Sequence, residues 1–309
     1  MGNHEAEKIF EKYSSKQKLV TLVTLAVFLI SSIYFFLSGY YLAFGLLIVL
    51  NIVILRILNG YLWRKYIANI LLEDLDAPLY RDVVESAGLD SKSPLLSMES
   101  RFFVGNVEGA ISLGEDLLKI EAFAKKNAHM TLLLLAEYNF IIGDDAAVAS
   151  ACKRFRESEQ PNKNSKRAKR QLACIENYEM YLAGDYESLN RPIGKKRKDA
   201  LYKLIISYRE GRIALARGDK EKARAIFAET AVSGEKTVVG KMSVSILNAL
   251  DTGSDHCEPV AMFPNESVNA DVLHDDFSES LKKSRNNLII SLIIMAIGLF
   301  LYFSGELFG

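Results

Sequence analysis

The chain has little of the material from which most catalytic and metal sites are built. Its 309 residues include only 3 cysteines, 4 histidines and 1 tryptophan. Cys152, Cys174 and Cys257 are dispersed and form no CxxC pair, which favours free thiols in a reducing compartment over a disulfide framework. The sequence also contains no P-loop, GxSxG, HExxH or dinucleotide-binding motif. It therefore predicts no catalytic residue, no cofactor and no metal site.

The chain also lacks net charge. Lys+Arg and Asp+Glu number 38 each, so the formal net charge is +0, and the composition gives no indication of a nucleic-acid partner. Hydrophobic residues, by contrast, make up 50% of the chain, which is at the high end for a soluble protein. Because this excess is concentrated at the two ends, it predicts membrane association.

Three apolar runs approach the length of a membrane span. Residues 19–37 carry no charge and no proline, and a second run, interrupted only by Asn51, follows after a two-residue break. At about 1.5 Å per residue, a run of about 19 residues nearly crosses a hydrocarbon core about 30 Å thick. We predict a two-helix transmembrane hairpin over residues 19–58 and a third transmembrane helix over residues 286–308.

The first run has two other interpretations. A secretory signal peptide would have a shorter apolar core and a small-residue cleavage site, whereas here a second apolar run follows at once. Buried helices of a soluble protein are the other alternative, and runs this long and free of charge argue against them.

Basic residues flank the apolar runs on one side only, and aromatic residues accompany them there. These flanking residues include Lys12, Lys16, Lys18, Tyr61, Trp63, Arg64, Lys65, Tyr66, Lys282 and Lys283. Because Lys and Arg accumulate in cytoplasmic loops, and Trp and Tyr at membrane interfaces, we predict that the basic N-terminus (residues 1–18) and the middle of the chain are cytoplasmic. The hairpin tip and the C-terminus are then outside.

A Gly-Asp or Gly-Asn pair recurs through the middle of the chain. The glycines are Gly105, Gly143, Gly184 and Gly218, at intervals of about 34 to 41 residues, a range typical of helix-turn-helix repeats. Glycine ends a helix because it tolerates the left-handed conformation, and the Asp or Asn that follows can cap the next helix. We therefore predict an all-α domain over residues 62–250.

The fourth unit, residues 204–231, resembles a tetratricopeptide repeat. The residues at the family's small, turn and packing positions are Gly211, Ala214, Gly218, Asp219, Ala223 and Phe227. Ser207 stands in place of the family's Trp, and Glu235 in place of its closing Pro. The resemblance extends more weakly over residues 92–232. It implies a short solenoid of tetratricopeptide-like hairpins between the transmembrane hairpin and the third span. Independent helical hairpins without a regular superhelix are the alternative.

The resemblance also implies a partner-binding groove, lined by the first helix of each repeat. With the turn glycines placed in register, this face falls on Glu99, Glu137, Gln171, Tyr178, Tyr208 and Arg212. Tyr and Arg often anchor interfaces, but aromatic residues at helical spacing are more often part of a core. We predict a protein or peptide partner and keep the core interpretation open for the tyrosines.

Two basic blocks interrupt the repeats. They are Lys166, Arg167, Lys169 and Arg170, and Lys195, Lys196, Arg197 and Lys198. A solvated surface is the simplest interpretation. Contact with membrane lipid is the more specific interpretation, because anionic headgroups attract basic residues near the bilayer. Nucleic-acid binding is less well supported, because the blocks lack interleaved aromatic residues.

Residues 251–285 begin with a long acidic stretch, which predicts an extended linker back to the membrane. His256, Cys257 and His274 lie within it at irregular spacing, which indicates chance rather than a metal cluster.

These patterns predict an integral membrane protein with three spans, whose helical domain serves as an adaptor or scaffold for a protein or peptide at the cytoplasmic membrane face. The alternative is an accessory subunit of a membrane transport or secretion complex. In that case the transmembrane helices carry the main interaction, and Asn51 faces a partner helix. The patterns leave homo-oligomerisation open.

Overall fold

The computed structural model describes residues 2–158, 165–190 and 199–252. Within these ranges the chain is helical and contains no β-strand, which confirms the all-α prediction. The predicted third span at 286–308, the basic block at 195–198 and all but the first two residues of the linker at 251–285 lie outside the described residues.

The described residues form thirteen α-helices. They are α1 (Gly2–Leu37), α2 (Tyr41–Trp63), α3 (Asn69–Leu72), α4 (Ala77–Ser86), α5 (Leu89–Lys92), α6 (Pro94–Val104), α7 (Val107–Lys119), α8 (Glu121–Ile142), α9 (Asp145–Glu157), α10 (Lys166–Leu182), α11 (Ala200–Ala216), α12 (Lys220–Ser233) and α13 (Val238–Thr252). A π-helical turn, Arg64–Ala68, joins α2 to α3, and a 3₁₀ turn, Ser188–Asn190, follows α10.

Two of the helical segments, His4–Phe35 and Phe44–Leu72, are long and apolar enough to cross a membrane. Their large apolar side chains are exposed, with Leu22 at 67%, Ile30 at 70% and Ile57 at 65%. So much exposed apolar surface is unfavourable in water and is accommodated in lipid. α1 and α2 pack against each other as a hairpin, so length, composition and exposure together favour membrane association.

Asn51 is the polar side chain that interrupts the second apolar run. Its Nδ2 atom donates a hydrogen bond to the backbone oxygen of Thr24 at 3.2 Å. A polar amide in hydrocarbon needs such a partner, because no water is available there. Asn51 therefore joins α2 to α1 within the hairpin.

The first helix belongs to both parts of the molecule. α1 is a single 36-residue helix, so the sequence boundary between residues 18 and 19 falls in its middle. Its N-terminal half packs against α4 and the π-helical turn, with Ala6 fully buried and the ring of Tyr13 edge-on to Trp63 at 6.0 Å. The helical domain is thus built directly onto the hairpin.

The predicted Gly-Asp and Gly-Asn turns are confirmed. Each of the four glycines has a positive φ, between 75° at Gly184 and 108° at Gly105. Asn106, Asp144 and Asp219 each accept a hydrogen bond from the backbone N–H three residues later. Each side chain thereby caps the helix that follows, because the first N–H groups of a helix have no backbone acceptor within it. After Gly184 the described residues up to Asn190 include a 3₁₀ turn, Ser188–Asn190, and no α-helix.

The last described helix returns to the start of the domain. α13 packs against α11 and α12, and it also contacts α6 and α8. The turn before it is tied to the start of α4 by an ion pair between Lys236 Nζ and Asp76 Oδ2 at 2.5 Å. The domain's two ends are therefore joined.

Two of the predicted free thiols lie in the described chain. Burial, with a smaller contribution from Glu179, raises the pKa of the Cys152 thiol to about 12, and burial also raises the pKa of Cys174. Because the thiolate is the reactive form, we expect both cysteines to resist iodoacetamide at pH 8 in the folded protein and to react readily in denaturant. Peptide mapping by mass spectrometry checks this, and fast native alkylation of Cys152 would contradict the packing of α9.

Candidate partner-binding face

Acidic and tyrosine side chains of four helices interact with one another. Tyr80 Oη of α4 donates to Glu99 Oε2 of α6 at 3.3 Å, and Tyr178 Oη of α10 donates to Glu137 Oε2 of α8 at 3.5 Å. Tyr138 lies between these pairs. Burial raises its pKa well above the ordinary value, and the charges of Glu99 and Glu137 raise it further. We refer to these five residues as the Glu–Tyr row.

Arg209 of α11 extends the Glu–Tyr row. Its Nη2 donates to Tyr178 Oη at 2.8 Å, and its guanidinium lies 4.9 Å from the centroid of the Tyr178 ring and 5.8 Å from that of Phe140. Burial lowers the pKa of Arg209, but nearby groups, Tyr178 and Glu137 first among them, more than offset this, so the net shift is upward. A permanently charged group is thus fixed over two aromatic rings.

The structure brings two of the six predicted groove residues, Glu137 and Tyr178, into contact, and Glu99 and Gln171 lie on the helices α6 and α10. Glu99 and Glu137 are half-buried members of the row, and Tyr178 belongs to it at 1% exposure. Gln171, one helical turn before Cys174 on α10, directs Nε2 towards Met130 Sδ of α8 at 3.6 Å. Gln171 and Tyr178 thus face α8 from α10, whereas Glu99 is bonded to α4 through Tyr80.

The other two predicted residues, Tyr208 and Arg212, hold the end of α8. Tyr208 Oη donates to the backbone oxygen of Ile141 at 2.5 Å, and Arg212 Nη1 donates to that of Phe140 at 3.4 Å. The negative end of the helix dipole favours a cation there. Arg212 also pairs with Asp145 at 3.6 Å. Both residues join α11 to α8.

Burial separates the two interpretations of the tyrosines. Tyr178 is 1% exposed and Tyr208 is 0% exposed, so the structure places both rings in the core. A partner on this face would meet Glu99, Glu137 and Gln171 directly, and the tyrosines would act by holding these helices in position.

Tyr80, Tyr138 and Arg209 belong to this face but were not found from the sequence. Tyr80 precedes the repeats, so no repeat register included it. Tyr138 and Arg209 directly follow the predicted residues Glu137 and Tyr208. Adjacent helical residues point about 100° apart, and the repeat register selected only one residue of each adjacent pair.

The basic block at the start of α10 is exposed. Lys166, Arg167, Lys169 and Arg170 all face solvent, and Ala168 between them is buried. Cations in the first turn oppose the helix dipole at a cost of a few tenths of a kcal/mol to about 1 kcal/mol each. No group of three or more His, Cys, Asp or Glu side chains that could hold a metal occurs within the described ranges.

Comparisons with known proteins do not add a function to this geometry. A scan against protein-family models finds no match, and searches of curated proteins and of solved structures find no significant match either. The tetratricopeptide resemblance therefore stays a prediction from sequence positions. A function has to be inferred from the residues of this face and from the connection of the domain to the hairpin.

Proposed function

We propose that this protein is a membrane-anchored helical-repeat adaptor that binds a protein or peptide partner on the face carrying the Glu–Tyr row. The supporting observation is that the domain is connected to the apolar hairpin by continuous helices. α1 runs without a break from the exposed apolar segment to the part packed against α4, and α2 continues into the domain through Arg64–Ala68. Helical connections of this kind hold a domain in one orientation, whereas flexible linkers let it tumble.

A fixed orientation favours binding at a surface. A partner that is also confined to the membrane meets the face at a raised effective concentration, and a preorganised site loses less entropy on binding. The half-buried side chains of Glu99, Glu137 and Arg209 are held by neighbours or stacked on rings, which is the preorganisation that such a site needs.

The finer parts of the proposal come from the sequence. The basic flanks support a cytoplasmic placement of the domain, and the apolar run at 286–308 would tether its far end as a third span. The spacing of the Gly-Asp turns supports a short tetratricopeptide-like solenoid. α13 would close this solenoid, since a solenoid's open end exposes apolar surface.

The adaptor function is tested by co-purification of the full-length chain from native membranes, followed by mass spectrometry. We expect the double variant Glu137→Ala/Gln171→Ala to lose a partner that the unaltered chain retains, because both side chains are half-buried on the predicted face. The matched control is Glu229→Ala/Asn248→Ala, which removes a carboxylate and an amide from exposed positions on α12 and α13. The control variant should retain the partner.

The full chain is needed because a fragment that starts at residue 62 would lack α1 and expose the core around Ala6 and Tyr13. Substitutions at Tyr178 or Tyr208 would perturb folding before binding. Two results together would contradict the adaptor and support the accessory-subunit alternative. The Glu137→Ala/Gln171→Ala variant would retain every partner, and substitution of exposed apolar residues of the hairpin, such as Leu22 and Ile30, would lose one.

A further inference from the structure

Two lysines from different helices share one aromatic ring where the hairpin meets the domain. The Nζ atoms of Lys12 on α1 and of Lys65 on the π-helical turn each lie 5.7 Å from the centroid of the Tyr66 ring. Lys65 Nζ is also 5.9 Å from the centroid of the Tyr61 ring. Such distances fall within the range of cation–π attraction, so Tyr66 draws two positive charges to one place.

The two lysines lie at matching distances from the two apolar runs. Lys12 precedes Leu19, the start of the first apolar run, by about two helical turns, and Lys65 follows Leu58, the end of the second run, by about two turns. Two turns correspond to about 10 Å. Lysine stems can bridge part of this distance along apolar surface, which brings both ammonium groups to the layer that phospholipid headgroups occupy beside the hydrocarbon.

These two lysines differ in their ion pairing from other exposed lysines in the described parts of the chain. Neither Lys12 nor Lys65 forms an ion pair there, although other exposed lysines, such as Lys119 and Lys153, have carboxylate partners. Arg64 and Lys16 are also exposed nearby in the sequence, beside one exposed carboxylate, Glu11. Like charges gathered at one ring repel each other, and an anion between them would remove that repulsion.

We propose that Lys12, Lys65 and Tyr66 form a binding site for the phosphate of an anionic phospholipid headgroup. Flexible lysine arms can both reach one phosphate, and the adjacent exposed apolar surface of α1 and α2 receives the acyl chains. A zwitterionic headgroup carries its own cation, so the site favours anionic over zwitterionic lipid. The site is separate from the basic block on α10 and requires no protein partner.

The test uses full-length protein, delipidated in detergent and titrated with phosphatidylglycerol or phosphatidylcholine, with bound lipid counted by native mass spectrometry. We expect phosphatidylglycerol to bind more tightly than phosphatidylcholine. The double variant Lys12→Gln/Lys65→Gln should raise the Kd for phosphatidylglycerol by at least about tenfold, because two basic residues are removed from the headgroup layer. Both side chains are exposed, so thermal unfolding of the variant should match that of the unaltered protein.

The control Lys220→Gln/Lys222→Gln removes the same charge from exposed positions on α12 and should leave the Kd unchanged. Equal weakening by the control would show that only net charge matters and would overturn the site. Equal affinity for phosphatidylcholine would overturn it as well. Displacement of the lipid by millimolar inorganic phosphate would show that the lysines bind free phosphate instead.

Discussion

Gly240→Ala is expected to destabilise the helical domain by about 3 kcal/mol, although the same change inside an exposed helix usually stabilises by about 1 kcal/mol. A Cβ atom at residue 240 would lie 2.1 Å from the backbone oxygen of Gly234 and 2.3 Å from its carbonyl carbon. The obstacle is backbone rather than a flexible side chain. α13 would therefore have to move away from the turn that follows α12.

That movement would affect the whole domain. α13 packs on α6, α8, α11 and α12, and the neighbouring Lys236–Asp76 ion pair joins this turn to α4. For a domain of about 200 residues, a loss of about 3 kcal/mol lowers Tm by about 6–12 °C. Circular dichroism of the full-length protein in detergent measures this shift.

Gly60→Ala is the matched control for Gly240→Ala. Gly60 is a helical glycine of α2 with open space at its Cβ position, so its substitution should leave Tm equal or slightly raised. A Gly240→Ala protein that melts like the unaltered chain would mean that α12 and α13 do not approach each other as closely as the structure has them.

Tyr208→Phe and Tyr138→Phe are expected to have opposite effects, although both remove one buried hydroxyl. Tyr208 Oη donates to the backbone oxygen of Ile141 at 2.5 Å. Its loss leaves a buried carbonyl at the end of α8 without that donor and should cost about 2 kcal/mol. The hydroxyl of Tyr138 is buried without a hydrogen-bond partner among the described residues, so its removal should be neutral or stabilise by up to about 1 kcal/mol.

The comparison is well matched, because each substitution keeps the aromatic ring. Tyr138 remains stacked on Phe102, with ring centroids 3.8 Å apart, and Tyr208 remains edge-on to Phe227 at 5.5 Å. Thermal unfolding of the two variants should differ by about 4–8 °C or more, with Tyr138→Phe the higher. Equal Tm values would contradict the role of Tyr208 as a cap on α8.

The candidate face was partly predictable. Glu99, Glu137, Gln171 and Tyr178 were reached by placing the turn glycines in register, because a glycine in the left-handed conformation marks a helix end from local sequence alone. Arg209 was missed, although it lies beside Tyr208 in the sequence. Which of two adjacent residues faces a neighbouring helix depends on how the helices cross, and crossing angles follow from packing rather than from turn positions.

The burial of Tyr178 and Tyr208 in the core could not be predicted from the sequence for the same reason. The hydrogen bond of Tyr208 joins residues 67 positions apart in the chain, and no periodic pattern encodes the partner of such a contact. Arg212 likewise reaches Phe140 across 72 positions. At the sequence level, Tyr and Arg at these positions fit an exposed groove and a buried junction equally well.

The sequence by itself determined the two apolar helices, the helical nature of the described chain and the positions of its Gly-Asp turns, because each depends on length, composition or a single residue's φ preference. Only the tertiary structure decided that α1 continues into the domain, that α13 returns to α6 and α8, and that Lys12 meets Lys65 on Tyr66. These contacts join segments distant in sequence, so they are selected by the packing of whole helices and not by any local pattern.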